Sequence, residues 1–321
     1  MHKNSAFFVT WPRGRKTMEK QTLKKKRRYR RKQSGWLFIA PFGILFIFVF
    51  IIPIIYSLYI SLFQNKLIGG QVFVGLDNYK KLLVDGQFWD GVKRVVLYTI
   101  IQVPVMLIIS QALALGLDSL RLRGTKFIRI VAFLPYGVPA IVSTLMWGFM
   151  LGTKYGLFKN INDFFGTDFN PFSPRWTLVS VAVMATWTYV GYNMLIFYSS
   201  LKTISADLYE SAEMDGASRW AIVRYIKLPA LKGSLVVTII FSIIGSFQLF
   251  NEPTILSRMV GNSGITNYYT PNIYVYNLAF TGSQQGYAAA LAIVMAIITI
   301  AIAYAVQIKG LKETMSQSEE G

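Results

Sequence analysis

The side chains that ordinarily carry covalent or metal chemistry are almost missing from this 321-residue chain, which has no cysteine and one histidine, His2. Disulfides, thiolate nucleophiles and cysteine-ligated metal sites are excluded. No His-based triad, His metal cluster or imidazole base can be assembled. No G-x-x-x-x-G-K-[ST] segment occurs, so nothing here is built to hydrolyse a nucleotide. The chain therefore reads as no enzyme, with neither catalytic nor metal-binding residues and no cofactor of its own. What remains is a set of polar, uncharged residues among apolar ones: Tyr189, Tyr192, Asn193, Ser246 and Gln248. Aromatic faces cover the apolar edges of sugars while amides and hydroxyls pair with ligand OH groups. As a set they suit a neutral, hydroxyl-rich ligand and offer nothing to a charged one. Taken singly, each is more economically an interfacial tyrosine or a helix-joining amide or hydroxyl.

The elements that must position these residues are long and apolar. Hydrophobic residues make up 53% of the chain and charged ones 15%, well below the quarter or so usual in soluble domains. A bilayer core about 30 Å thick needs roughly 20 apolar helical residues. Uncharged gaps of that order separate Lys32 from Lys66, Arg94 from Asp118, Arg129 from Lys154, Arg175 from Lys202, Lys232 from Glu252, and Arg258 from Lys309. The last gap divides into a stretch rich in Asn, Gly, Ser, Thr and Tyr and an aliphatic run from Ala288. The spacing predicts six helices, near 36–62, 95–117, 130–151, 177–201, 234–250 and 288–308, an all-α integral membrane architecture.

Of the 33 Lys and Arg residues, 13 precede residue 36. With the N-terminus inside, the inner segments carry 24 bases and the outer ones 9, which places both termini in the cytoplasm. The chain then divides into a basic tail (1–35), a six-helix domain (36–308) and a C-terminal tail (309–321). The run Lys24 to Lys32 is better explained by topology and anionic-lipid contact than by nucleic acid, and no nucleic-acid partner is expected. The apolar run from Trp36 is too long for a signal-peptide h-region and lacks a small-residue cleavage site. Met1 and Met18 are both left open as the start. None of the six spans as drawn holds Asp, Glu, Lys, Arg or His. A carrier coupled through side-chain carboxylates has nowhere to put its proton. If the chain drives transport, ATP is hydrolysed by a partner.

The segment Lys202 to Lys232 is too regular for a passive connection. Ser205 or Asp207 can cap a short helix whose first turn holds Glu210, and Gly216 can take the left-handed turn that ends it. Ile222, Tyr225, Ile226 and Pro229 then form one apolar stripe on a second helix. The expected unit is a helix–turn–helix against the inner face, presenting Glu210, Glu213, Met214 and Asp215. A solvated amphipathic connector has the same periodicity.

The order Glu210-Ser211-Ala212, Gly216-Ala217 and Ile226-Lys227-Leu228-Pro229 resembles the EAA loop, E-A-A-x(3)-G-A-x(8)-I-x-L-P, of binding-protein-dependent ABC importer permeases. Only Ser211 departs, a small residue for a small one. Val74 to Lys80 with Phe88-Trp89, Ala132 to Pro139, and Ser246 to Pro253 resemble the carbohydrate-uptake branch, which contains the maltose and glycerol-phosphate permeases. The resemblance runs from Trp36 to about Ile308.

It implies the type I ABC importer permease fold in a bacterial or archaeal cytoplasmic membrane. Two permease subunits would form the pore, two ATP-binding cassette subunits would hold ATP and Mg below it, and an extracellular solute-binding protein would deliver ligand. A second, different permease is the favoured partner. Glu210, Ala212 and Gly216 would transmit the ATPase motion, with Met214 packing at that interface. Sugar would be held near Tyr189, Tyr192, Phe247, Gln248 and Asn251, foremost by Tyr192 and Gln248. The sugar itself is not specified, though a sugar phosphate fits poorly without an intramembrane base. The outer segment 258–285, with Tyr268, Tyr269, Tyr274 and Tyr276, reads equally as an interfacial hairpin or as a binding-protein contact or gate. The competing readings are an autonomous secondary carrier or channel for a neutral polar solute, and a membrane-anchored scaffold.

Overall fold

Asp85 begins the longest well-packed helix of the structure, a computed structural model that describes residues 38–66, 69–118, 124–261 and 263–319, with the side chains of 311–319 left aside. The basic tail, Met18 and the Lys24–Lys32 run lie outside the described residues. The chain divides into two units, residues 1–57 and 58–321. Helix α1 (Phe38–Ile60) is apolar throughout its length, and none of the side chains in its central window is buried.

In the second unit an antiparallel hairpin of β1 (Phe63–Lys66) and β2 (Gly70–Phe73), registered Phe63 to Phe73, departs from the all-helical expectation. Helices α2 (Asp77–Leu83) and α3 (Gly86–Leu117) follow. Asp85 accepts hydrogen bonds from the Gln87 and Phe88 amides, satisfying two of the exposed N–H groups at the start of α3. This cap moves the helix start nine residues ahead of the predicted 95, because Asp90, Lys93 and Arg94 lie in its first turns. The same carboxylate accepts from the Tyr274 and Tyr287 hydroxyls.

The third apolar segment is not one helix. It runs as α4 (Thr125–Phe133), a 3-10 turn (Leu134–Gly137) and α5 (Ala140–Met150), bent by 100°. Pro135 and Pro139 each remove a backbone donor and Gly137 lies between them, which breaks the helix there. Helix α6 (Leu157–Phe165) leads into α7 (Thr177–Leu201), whose bounds match the expectation. Helices α8 (Ala206–Met214) and α9 (Arg219–Ala230) form the anticipated helix–turn–helix, and α9 meets α10 (Lys232–Phe247) at a 57° bend. After α10 come α11 (Asn251–Met259), α12 (Pro271–Tyr276) and α13, which runs unbroken from Gln285 to Glu319, past position 308.

Two details of α8 and α9 correct the sequence reading. The first-turn acid of α8 is Asp207, with Glu210 one turn later, and the Ser205 hydroxyl makes no capping bond. In α9 a π-helical stretch, Val223–Lys227, adds a residue to the turn. Of the expected apolar stripe only Tyr225 departs: it is exposed, while Ile222 is buried and Ile226 and Pro229 are half-buried.

Helices α3 and α7 run parallel, since their contacts advance together. Gln102 meets Thr186, the Ser110 hydroxyl donates to the Val190 carbonyl, and Val103, Met106 and Leu107 pack on Met194, Phe197 and Leu201. Between membrane helices lipid removes most of the hydrophobic drive, so close packing and interhelical hydrogen bonds, about 0.6 kcal/mol each, hold the pair. Gly191 shows how close the approach is: a Cβ there would overlap the Ala132 carbonyl of α4. A second core joins α2, the first half of α3, the end of α10 and the start of α13 around Phe88, Phe247 and Leu291.

Candidate functional site: a polar cavity at broken helices

Where α10 ends at Phe247, the backbone leaves the helix for three residues before α11 restarts at Asn251. Irregular backbone at the end of an apolar helix of this kind is stable only if its polar groups find partners. Here they do: the Asn272 amide donates to the Phe247 carbonyl at 3.0 Å and the Thr270 hydroxyl to the Leu249 carbonyl at 2.9 Å. The outer segment thus supports the break. Within it Tyr269 is buried, and its carbonyl accepts from Arg94 at 2.7 Å; Tyr276 remains exposed.

The break opens a cavity of about 350 Å³. Helix α3 contributes Tyr98, Gln102 and Met106; the proline-bounded 3-10 turn contributes Tyr136; α7 contributes Tyr189, Tyr192 and Asn193. Ser242 and Ser246 come from α10, and Gln248, Asn251 and Glu252 from the break and the start of α11. Tyr136 stacks on Tyr192 with ring centroids 4.7 Å apart and meets Tyr189 edge-on at 6.0 Å. These rings form an aromatic cluster in the cavity lining.

The structure therefore brings Tyr189, Tyr192, Gln248 and Asn251 into one cavity. It separates Phe247 from them: that ring is 4% exposed and packs with Phe88, Tyr287 and Leu291. Tyr98, Gln102, Tyr136 and Glu252 were not singled out from sequence. The prolines flanking Tyr136 were a usable signal, since a proline-interrupted apolar segment marks backbone opened toward a cavity. Glu252 corrects the expectation of a site with nothing for a charged ligand. No Lys, Arg or His among the described residues lines the cavity, and Glu252 is its single carboxyl. Burial holds that carboxyl above the usual range. An anion entering would meet this acid without a counter-cation, whereas hydroxyls would meet amides, serines and tyrosines.

The second candidate region is α8. Its end is closed by two backbone bonds, Ala217 N–H to the Ala212 carbonyl at 2.9 Å and Gly216 N–H to the Glu213 carbonyl at 3.1 Å, with Gly216 at φ +78°. This is the Schellman closure that favours glycine. Glu210 and Met214 are exposed, Met214 by 88%, while Ala212 is half-buried. Met214 thus presents an exposed apolar surface beside the acidic end of α8. Trp220 and Tyr225, 72% and 77% exposed, extend it.

The chain is 30% identical to the lactose transport system permease protein LacF of Rhizobium radiobacter, over 84% of its own length and 92% of that protein's. It is 31% identical to the arabinooligosaccharides transport system permease protein AraP of Bacillus subtilis, over 85% and 87%. Its fold matches a chain in the crystal structure of a bacterial ABC transporter involved in the import of the acidic polysaccharide alginate, with a TM-score of 0.77 at 19% identity, covering 89% of this chain and 99% of that one. Residues 109–309 match the model of the binding-protein-dependent transport system inner membrane component, and the chain belongs to that family.

Proposed function

We propose that this chain is a transmembrane permease subunit of an ATP-driven importer that moves a sugar or oligosaccharide delivered by an extracellular solute-binding protein. The observation that carries the reading is the cavity, lined by the ring cluster of Tyr136, Tyr189 and Tyr192 and by the amides of Gln102, Gln248 and Asn251, with no cation among the described lining residues. Relatives named for lactose and arabinooligosaccharides support the substrate class. In this reading the chain crosses the cytoplasmic membrane of a bacterium or archaeon six times, two of the spans bent, with both termini inside. Its α8 docks on an ATP-binding cassette subunit through Glu210, Ala212, Met214 and the Gly216 turn. ATP and Mg stay on those partners, and a second, different permease completes the pore.

The experiment is uptake and ligand-stimulated ATP hydrolysis in the assembled complex carrying Tyr192→Ala or Gln248→Ala. Each is expected to lower both at least tenfold or to shift the sugar range, with subunit stoichiometry intact. Unchanged transport in both variants removes the cavity as the sugar site.

A further inference from the structure

Asp118 stands where three segments end. It caps the C-terminus of α3, its amide bonded to the Ala114 carbonyl, and its carboxylate is 5% exposed. One oxygen takes Lys202 Nζ at 2.8 Å and the other takes Lys227 Nζ at 2.7 Å. Lys202 caps the C-terminus of α7, and Lys227 belongs to the π-helical stretch of α9. One buried carboxylate thus joins both stems of the α8–α9 loop to α3. The ammonium of Lys227 also lies 5.4 Å from the ring of Tyr209, a residue of α8. The Tyr209 hydroxyl is buried and has no hydrogen-bond partner among the described residues. Leu117, Leu201 and Leu231 form the apolar floor beneath the cluster.

We propose that Asp118 is a positioning residue, the ionic pivot through which displacement of α8 reaches the cavity. This rests on the transport reading given above. Tyr209 gives α8 a face against Lys227. Asp118 passes the load to α3 and to α7, and those helices carry Tyr98, Gln102, Tyr189 and Tyr192. Gln102 lies sixteen residues along α3 from Asp118, about 24 Å of helix that runs unbroken through Pro104. Lysine suits a pivot: its ammonium is a point charge with three donors and keeps its contact as the carboxylate turns, which a bidentate arginine would not. Without Asp118 the pivot would place two like charges at the same helix ends, leaving only the apolar contacts beneath them to hold the loop stems together.

The test is the number of solute molecules imported per ATP hydrolysed by the complete complex in proteoliposomes, a ratio that a purely structural residue leaves unchanged once the amount of complex is normalised. Asp118→Asn is expected to lower the ratio at least tenfold, and the exchange Asp118→Lys with Lys227→Asp to recover at least threefold over either single change. If Asp118→Asn prevents assembly, Lys202→Gln decides: Lys202 is half exposed, and its loss is expected to lower the ratio several-fold in intact complex. A ratio unchanged in the assembled variants, or no recovery on charge exchange, overturns the pivot. The unmodified complex separates the two readings: if it imports no sugar the transport reading fails, whereas normal import with an indifferent Asp118 sinks the pivot alone.

Discussion

The cavity and the loop end of the same two helices treat polar groups in opposite ways. Around Asp118 the carboxylate has a cation on each oxygen, and α8 closes its own backbone at Gly216. In the cavity the Gln248 and Asn251 side chains and the Glu252 carboxyl line open space, and no Lys, Arg or His among the described residues lines it. Gln248 and Asn251 are exposed, so their polar groups are open to solvent or to a ligand, while burial penalises only the charged form of Glu252. Saturated charge is found where a contact has to persist while its surroundings move. Helices α3 and α7 carry both arrangements, about 24 Å apart from Gln102 to Asp118 on α3 and about 15 Å from Tyr192 to Lys202 on α7, and the difference between their ends separates holding solute from transmitting force.

Three substitutions break or sharpen that contrast. The largest effect belongs to Gly191→Ala, which should abolish both regions together. A methyl group there meets the Ala132 backbone, so α4 and α7 must separate, at about 3 kcal/mol or more. Loss of folded chain from the membrane fraction, read by size-exclusion profile in detergent, checks it; a normal profile would show that the close approach does not hold. Next is Gly216→Val. It forces a β-branched residue to φ +78°, costing about 1–2 kcal/mol locally, while nothing stands within 4 Å of the added Cβ. Uptake should fall at least tenfold with sugar binding intact, so the loop loses function and the cavity does not.

The smallest effect is Glu252→Gln. Burial raises the carboxyl above its ordinary 4.5 in the folded state. The folded form therefore holds its proton more tightly, and the contribution of this group to stability is complete below pH 4.5 and lost as pH rises through the higher folded value. Glutamine, which never ionises, should raise the thermal midpoint at pH 7, and the gain should vanish below pH 4.5. A gain independent of pH would mean that the carboxyl is not desolvated.

The apolar helices were legible because hydrocarbon excludes charge: the gaps between charged residues located every apolar stretch, and the Arg175–Lys202 gap gave α7 to the residue. What the gaps missed follows from chemistry they ignore. The Asp85 cap carries α3 out among charged residues, and Pro135 and Pro139 fold the third stretch through 100° without adding a charge. Tyr189, Tyr192, Gln248 and Asn251 were legible as a polar set, yet Phe247, adjacent in sequence, turns into the core because α10 is still helical there and puts its ring on the opposite face. Glu252 escaped notice as a boundary charge, although the helix break directs it to the cavity. The π-helical stretch in α9 left no periodic signal, and Lys227 at its end meets Asp118, 109 residues away.

The most direct measurement compares the purified chain alone in vesicles with the complete complex given ATP and its solute-binding protein. The complex is expected to concentrate sugar against a gradient and the lone chain to concentrate none. Accumulation by the lone chain would contradict the view of this protein as a conduit driven from outside itself.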